Sequence, residues 1–175
     1  MAYRYIVERE FEHAGYKCVV VFNSNGFRCG YVGIPKNHPL YGKGYSDHLD
    51  IKKDDIGDRE ISGVFPLLIA YLDEDERIRI DEYFQCHGGI THADGGKNST
   101  YPIESDLWWF GFDCGHAGDR NDLVYALKNF PERAKEYKIR IEIESLYIIE
   151  DDVIRDEEYV ASECKKLAEQ LKEFE

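Results

Sequence analysis

Apolar residues along this chain follow two periods, and the changes between them mark its elements. YRYIVEREFEH (3–13) and KCVVVFN (17–23) are rich in β-branched and aromatic residues, with Ala14-Gly15 between them as turn material. NSNG (23–26) is a second turn signal, and FRCGYVGIP follows as a third strand. The opening therefore predicts an antiparallel meander. From 35 to 60, Pro, Gly, Asp and Lys dominate and no period holds, which predicts a long loop with one short helix. ISGVFPLLIAYLDEDERI (61–78) fits either a strand or a short helix. EYFQCHGGITHA (82–93) reads as a strand carrying a glycine pair, and ADGGKNST (93–100) as a loop.

LWWFGFDC (107–114) is continuous apolar and aromatic residue up to Asp113, the pattern of a central strand. Residues 121–137 include a helical stretch broken or restarted at Pro131. IRIEIESLYII (139–149) starts with alternation at period two and predicts a half-buried strand. Val160, Cys164, Leu167, Leu171 and Phe174 form one helical stripe, so the acidic segment 150–175 predicts a C-terminal amphipathic helix, packed on the sheet or on a partner copy. The fold class expected is α+β: a single domain with a mostly antiparallel sheet and helices packed on one side.

Composition narrows the function classes. At 175 residues the chain is long enough to bury a core as one domain. Its formal charge of −13 argues against nucleic acid, whose binding depends on counterion release by Lys and Arg. The longest apolar run, VFPLLIAYL, is interrupted by Pro66 and is far short of the roughly 20 residues of a membrane helix. The N-terminus has no apolar signal-peptide core. A soluble cytoplasmic protein without a membrane partner is expected. The five cysteines are scattered with no CxxC, which predicts small buried thiols and neither a disulfide framework nor a structural zinc site.

Candidate chemistry gathers in three glycine-framed segments. In GYVGIPKNHPLYGKGY (30–45), Tyr31, Tyr41 and Tyr45 could wall a planar ligand, Lys36 and Lys43 could meet phosphates, and His38 could add a polar contact. In HGGITH, His87 with the Gly88 and Gly89 backbone could cradle an anion, Thr91 donating a further hydrogen bond. HGG is similar to the oxyanion-hole motif of esterases, but no G-x-S-x-G elbow accompanies it. In WWFGFDCGHAGD (108–119), Trp108 and Trp109 point to opposite faces of a strand, one into the core and one free to stack. Asp113, His116 and Asp119 could ligate a metal with His87 as a fourth ligand, although no HExxH or HxH is present. Asp119 could instead cap a helix near Asn121. Cys114 and His116 make a poor nucleophile–base pair, since residues two apart on one chain rarely converge. No metal and no cofactor is expected.

The three blocks GYVGIPKNHPLYGKGY, HGGIT and DLWWFGFDCGHAGD together resemble a family of small phage and prophage proteins, from residue 5 to about 125. That family's pattern reads roughly RCGYVGVPKGHPLYG, HGG(I/L)T and WWFGFDCxHxGD. The chain departs from it in an insertion at 61–78 and in its acidic C-terminal helix. The resemblance implies a phage context, in the cytoplasm of an infected bacterium. By analogy with phage sponges it implies sequestration, without turnover, of a nucleotide-derived immune signal of the cyclic nucleotide or cyclic ADP-ribose type. The ligand would touch Tyr31, Lys36, His38, Tyr41, His87, Gly88, Gly89, Thr91, Trp108, Trp109, Asp113, His116 and Asp119, with Tyr31, Tyr41 and Trp109 stacking, in a possible homo-dimer or higher homo-oligomer. Two alternatives stand beside it: a hydrolase of a phosphodiester or N-glycosidic bond using His87, Asp113, His116 and Asp119, and a protein-binding phage inhibitor.

Overall fold

The computed structural model describes residues 4–56, 75–146 and 152–175. It has an α+β fold built on a five-stranded antiparallel sheet. Tyr5–His13 (β1), Tyr16–Asn23 (β2) and Arg28–Ile34 (β3) form the meander that alternation and turn residues predict. Trp108–Asp113 (β7) pairs with β3 on one side and with His92–Gly95 (β6) on the other, so the sheet order is β1-β2-β3-β7-β6. The tryptophan strand is thus interior to the sheet. Between β3 and β6 a separate ribbon pairs His48–Lys52 (β4) with Arg77–Arg79 (β5).

Over its described part, the expected 35–60 loop is partly built structure, pinned by buried Leu40 and Leu49, with a 3-10 turn at Lys53–Ile56 as its one short helix. Most of the ambiguous 61–78 segment falls outside the described residues. Of the strand expected at 82–93, only His92 and Ala93 are strand. Ile80–Tyr83 is a single helical turn, and Gly88 and Gly89 both have positive φ, at 67° and 88°. That backbone cannot join a ladder, so pairing begins only at His92 and runs into the segment expected to be a loop.

Three helices follow: Leu123–Asn129 (α1), Ala134–Leu146 (α2) and Glu157–Glu173 (α3). Helix α1 is capped by Asp122, whose Oδ1 accepts from the Tyr125 amide, so the cap is not Asp119. The break falls at Pro131, in a 3-10 turn, as the proline predicts.

Helix α2 overturns the strand expected at 139–149 over its described part. Lys, Glu and Arg between the isoleucines are good helix formers. The Arg133–Glu136 ion pair spans the first turn, and Arg133 and the buried Tyr137, whose hydroxyl donates at 2.7 Å, both bond the Ser24 carbonyl just after β2 and tie that turn to the sheet. Period two then becomes accidental: Ile141 packs against the Phe22 cluster while Ile139 and Ile143 stay exposed.

The helices lie on one face of the sheet. Helix α3 buries Val160, Ala161, Cys164, Leu167, Ala168 and Leu171 against Cys18, Val20, Val32, Ile34, Phe110 and Phe112. Each large aliphatic side chain so buried stabilises by about 1.5–3 kcal/mol. Helices α1 and α2 pack Leu123, Ala126, Phe130 and Tyr137 around Phe22 at one end of that face. The α3 stripe is consumed by its own sheet and is not available to a partner copy. On the opposite face, Val19, Val21, Cys29, Tyr31 and Trp109 are covered by Tyr101, Ile103 and Leu107. Among the described residues no helix is long and apolar enough to cross a membrane.

The α3 contact depends on Gly30, because a Cβ there would lie 2.5 Å from Phe112 Cζ and 2.6 Å from Cys164 Sγ. Gly30→Ala is expected to destabilise the fold by about 1–3 kcal/mol, as overpacking does. The shift of the urea midpoint at unchanged slope measures it.

Candidate functional site

The backbone sorts the sequence candidates into two groups at opposite ends of one strand pair. Ile34 lies opposite Trp108, and Cys29 opposite Asp113. Five residue steps along the strand separate the two ends, roughly 17 Å at 3.3–3.4 Å per step.

At the Trp108 end, Tyr41 packs on Trp108 with ring centroids 6.0 Å apart. Trp108 Nε1 donates to the Lys43 carbonyl at 2.9 Å, and the Tyr41 hydroxyl donates to the Asp106 carbonyl at 2.9 Å. Lys36 and Tyr45 are exposed. His38 is buried: Nε2–H donates to the Leu171 carbonyl near the end of α3 at 3.0 Å, and Nδ1 accepts from the Leu40 amide. It is a structural staple and not a ligand contact. Trp109 is not a stacking platform either. It is fully buried under Gly33, and its Nε1 donates to Ser105 Oγ.

The Asp113 end carries the chemistry. The tight turn at Gly88 and Gly89 sets His87 against residues from two other segments. His87 Nε2–H donates to Asp119 Oδ2 at 2.7 Å, and Nδ1 faces the Tyr159 hydroxyl at 2.8 Å. Arg155 Nε donates to the other Asp119 oxygen at 2.8 Å, its guanidinium lying 4.7 Å over the Tyr159 ring. His116 Nδ1 sits 3.7 Å from Asp119 Oδ2, and His116 Nε2 sits 3.8 Å from Asp113 Oδ1. Burial pushes the Asp119 carboxyl up, but the bonds from Arg155, His87 and the His116 amide outweigh it and hold its pKa below the ordinary value.

Arg155 and Tyr159 were not among the sequence candidates. They arrive because residue 153 bridges to residue 119, with Arg120 N–H on the Val153 carbonyl and Val153 N–H on the Gly118 carbonyl. Asp156 then caps α3 through the Tyr159 amide.

Of the donors expected to cradle an anion at His87-Gly88-Gly89, the Gly89 amide and the Thr91 hydroxyl are taken up by internal bonds. The Gly89 amide donates to the Cys86 carbonyl, and Thr91 Oγ1 donates to Asp113 Oδ2 at 3.0 Å. Gly88 serves packing instead, since a Cβ there would collide with the His116 ring.

Beside this cluster, on the face opposite α3, lies an open groove of about 500 Å³ bordered by Phe27, Tyr31, Thr91, His92, Tyr101 and Asp113. Gly111 makes room for it: the Tyr31 ring covers the spot where a Gly111 side chain would stand. The Tyr31 and Tyr101 hydroxyls are hydrogen-bonded to each other. His92 meets both rings edge-on, and its Nε2 is buried without a hydrogen-bond partner among the described residues. HGGITH contains His92, but its place opposite Gly111 comes from a strand register that the sequence does not show.

All five cysteines are buried and free. Burial pushes the Cys18 thiol up to about 12, and raises Cys86, Cys114 and Cys164 as well. Cys114 is therefore no nucleophile for His116. Comparison with family models, with curated proteins and with solved structures returned no match for the chain.

Two outcomes are expected. The native protein should leave its thiols unmodified by a chromogenic disulfide reagent at pH 8 over minutes, and release all five on denaturation. Burial also holds the pKa of His92 below its usual value, so on acidification the unfolded chain binds this proton first. The stability tied to a neutral His92 is complete above the ordinary histidine pKa and falls as pH drops through it. Thermal unfolding of wild type and His92→Asn between about pH 7.5 and 5.5 should show a shallower loss in the variant, a window set by the ordinary value near 6.5.

Proposed function

We propose that this protein captures a small, planar, nucleotide-derived ligand and holds it without turnover, a phage-encoded sponge for a bacterial immune signal. The observation that carries the reading is the buried, partnerless Nε2 of His92 inside an aromatic groove. A buried polar group left unsatisfied costs about 1–3 kcal/mol, a cost that a ligand hydrogen bond removes. The groove volume lies in the range of small-molecule sites. Tyr101 and Phe27 offer ring surface for a base, and the Asp113 carboxylate has spare lone pairs for an amino or ribose donor. The resemblance of the GYVG, HGGIT and WWFGFDC blocks to phage proteins supports the biological setting. In this version of the site Tyr31 is a floor, Tyr101 and His92 replace Trp109 and Tyr41, and Lys36 takes no part.

One observation favours the hydrolase as a second reading: His87, His116 and Asp119 converge within reach of acid–base chemistry beside the groove.

The test is thermal shift with a panel of cyclic dinucleotides and ADP-ribose derivatives, then heat release and mass spectrometry of any bound compound. Stabilisation with the ligand recovered intact is expected. His92→Ala and Tyr101→Ala should each weaken binding about tenfold or more, and Lys36→Ala should not. A changed mass would make the protein an enzyme. Absence of any shift would overturn the nucleotide reading.

A further inference from the structure

We infer that His87, His116 and Asp119 form a binding site for one divalent first-row transition-metal ion, with zinc as the representative probe. His87 Nε2, His116 Nδ1 and Asp119 Oδ2 all lie within 4.8 Å of one another. Ligand atoms about 2.0–2.2 Å from a tetrahedral zinc stand roughly 3.3–3.6 Å apart. The present separations of 2.7 Å for His87–Asp119 and 3.7 Å for His116–Asp119 straddle that span, so small side-chain rotations admit an ion. His116 Nδ1 is buried and has no hydrogen-bond partner among the described residues. An imidazole nitrogen turned toward a carboxylate and a second imidazole, without a bond to either, is placed as a ligand is placed.

The surroundings supply what metal ligands need behind them. In metal sites the second ring nitrogen of a histidine usually meets a carboxylate, carbonyl or water, and a ligating carboxylate is itself hydrogen-bonded. Here His116 Nε2 faces Asp113, whose carboxylate is held by Thr91 Oγ1 and the Gly115 amide. His87 Nδ1 faces the Tyr159 hydroxyl, and Asp119 Oδ1 is held by Arg155 Nε. On metal binding the His87 proton moves from Nε2 to Nδ1, and Tyr159, which can donate or accept, becomes its acceptor. Three protein ligands leave a coordination position open, the arrangement of reactive rather than structural sites. Two imidazoles and one carboxylate suit zinc, iron(II) or manganese(II) better than magnesium or calcium, which take all-oxygen shells. The site does not depend on what the groove holds.

The test uses the full chain, stripped with chelator and dialysed, then titrated with zinc(II) and separately with cobalt(II). One ion per chain is expected by elemental analysis, with a rise in Tm and the visible ligand-field bands of low-symmetry cobalt. His116→Gln and His87→Gln should abolish the bands, and Tyr159→Phe should weaken affinity about tenfold. His13→Ala, which removes a surface histidine paired with Glu169, should change nothing. Circular dichroism in chelator checks that each variant folds. Should the glutamine variants fail to fold, the wild-type cobalt spectrum decides alone. Bands of nitrogen and oxygen ligation support the site. No bands, or intense thiolate charge transfer, overturns it, as does binding that survives His116→Gln in a folded protein.

Discussion

The structure depends on a glycine-for-aromatic exchange across one pair of strands. In the β3–β7 ladder Gly30 lies opposite Phe112, Tyr31 opposite Gly111, and Gly33 opposite Trp109. Each glycine gives up its side-chain volume to the ring across from it, so the rings lie flat over the ladder. Glycine in a strand ordinarily weakens it, and an aromatic partner covering the exposed backbone offsets that loss. Gly30–Phe112 faces α3 and lets the helix approach. The other two pairs face the opposite side, where Trp109 seals one half and Tyr31 floors the groove in the other.

The same ladder sets the two ends of the molecule apart. The lysine- and tyrosine-bearing loop after β3 is tied to Trp108, while β7 delivers Asp113 to the far end. There Asp119 is the hub. Its two oxygens are shared among His87, the His116 amide and Arg155, each from a different stretch of chain or a different atom type. A carboxylate with a buried side chain and three charged or polar donors is held ionised, and it holds the His87 ring and the His116 backbone in turn. In a protein of formal charge −13, the local donors and the aromatic floor govern what can be bound here, not the overall field.

Much of the fold was legible because strands with one covered face announce themselves by alternation and by turn residues. The meander, the tryptophan strand and the C-terminal stripe were all visible in that way. Residues 139–146 misled because Ile139, Ile141 and Ile143 alternate with charges, a pattern a helix can carry when only Ile141 needs cover. Residues 82–91 misled because apolar content outweighed two consecutive glycines in the left-handed region, which turn the chain instead of extending it. Of the site, residue type and spacing in glycine-framed segments point to His87, Asp113, His116 and Asp119, and these four do meet. Trp109 was mistaken for the exposed member of its pair because strand alternation says that two neighbours differ, not which one the covering segment hides. Arg155 and Tyr159 carry no local signal. They stand 36 and 72 residues from Asp119 and His87, their respective partners, in an acidic stretch that reads as solvated surface.

That long separation has a kinetic side. The meander closes short loops and can form early, whereas the hub around Asp119 needs the chain to return over distances whose closure costs entropy before any contact rewards it. The bridge at Val153, the cap at Asp156 and the docking of α3 lie on one short stretch, so they come into place together. The groove needs β3, β6 and β7 paired and the turns that carry Phe27 and Tyr101 in place, all of them before α3 in the chain. The histidine pair is clamped only when the last helix has settled on the sheet, which makes an ordered Asp119 cluster a reporter of completed folding.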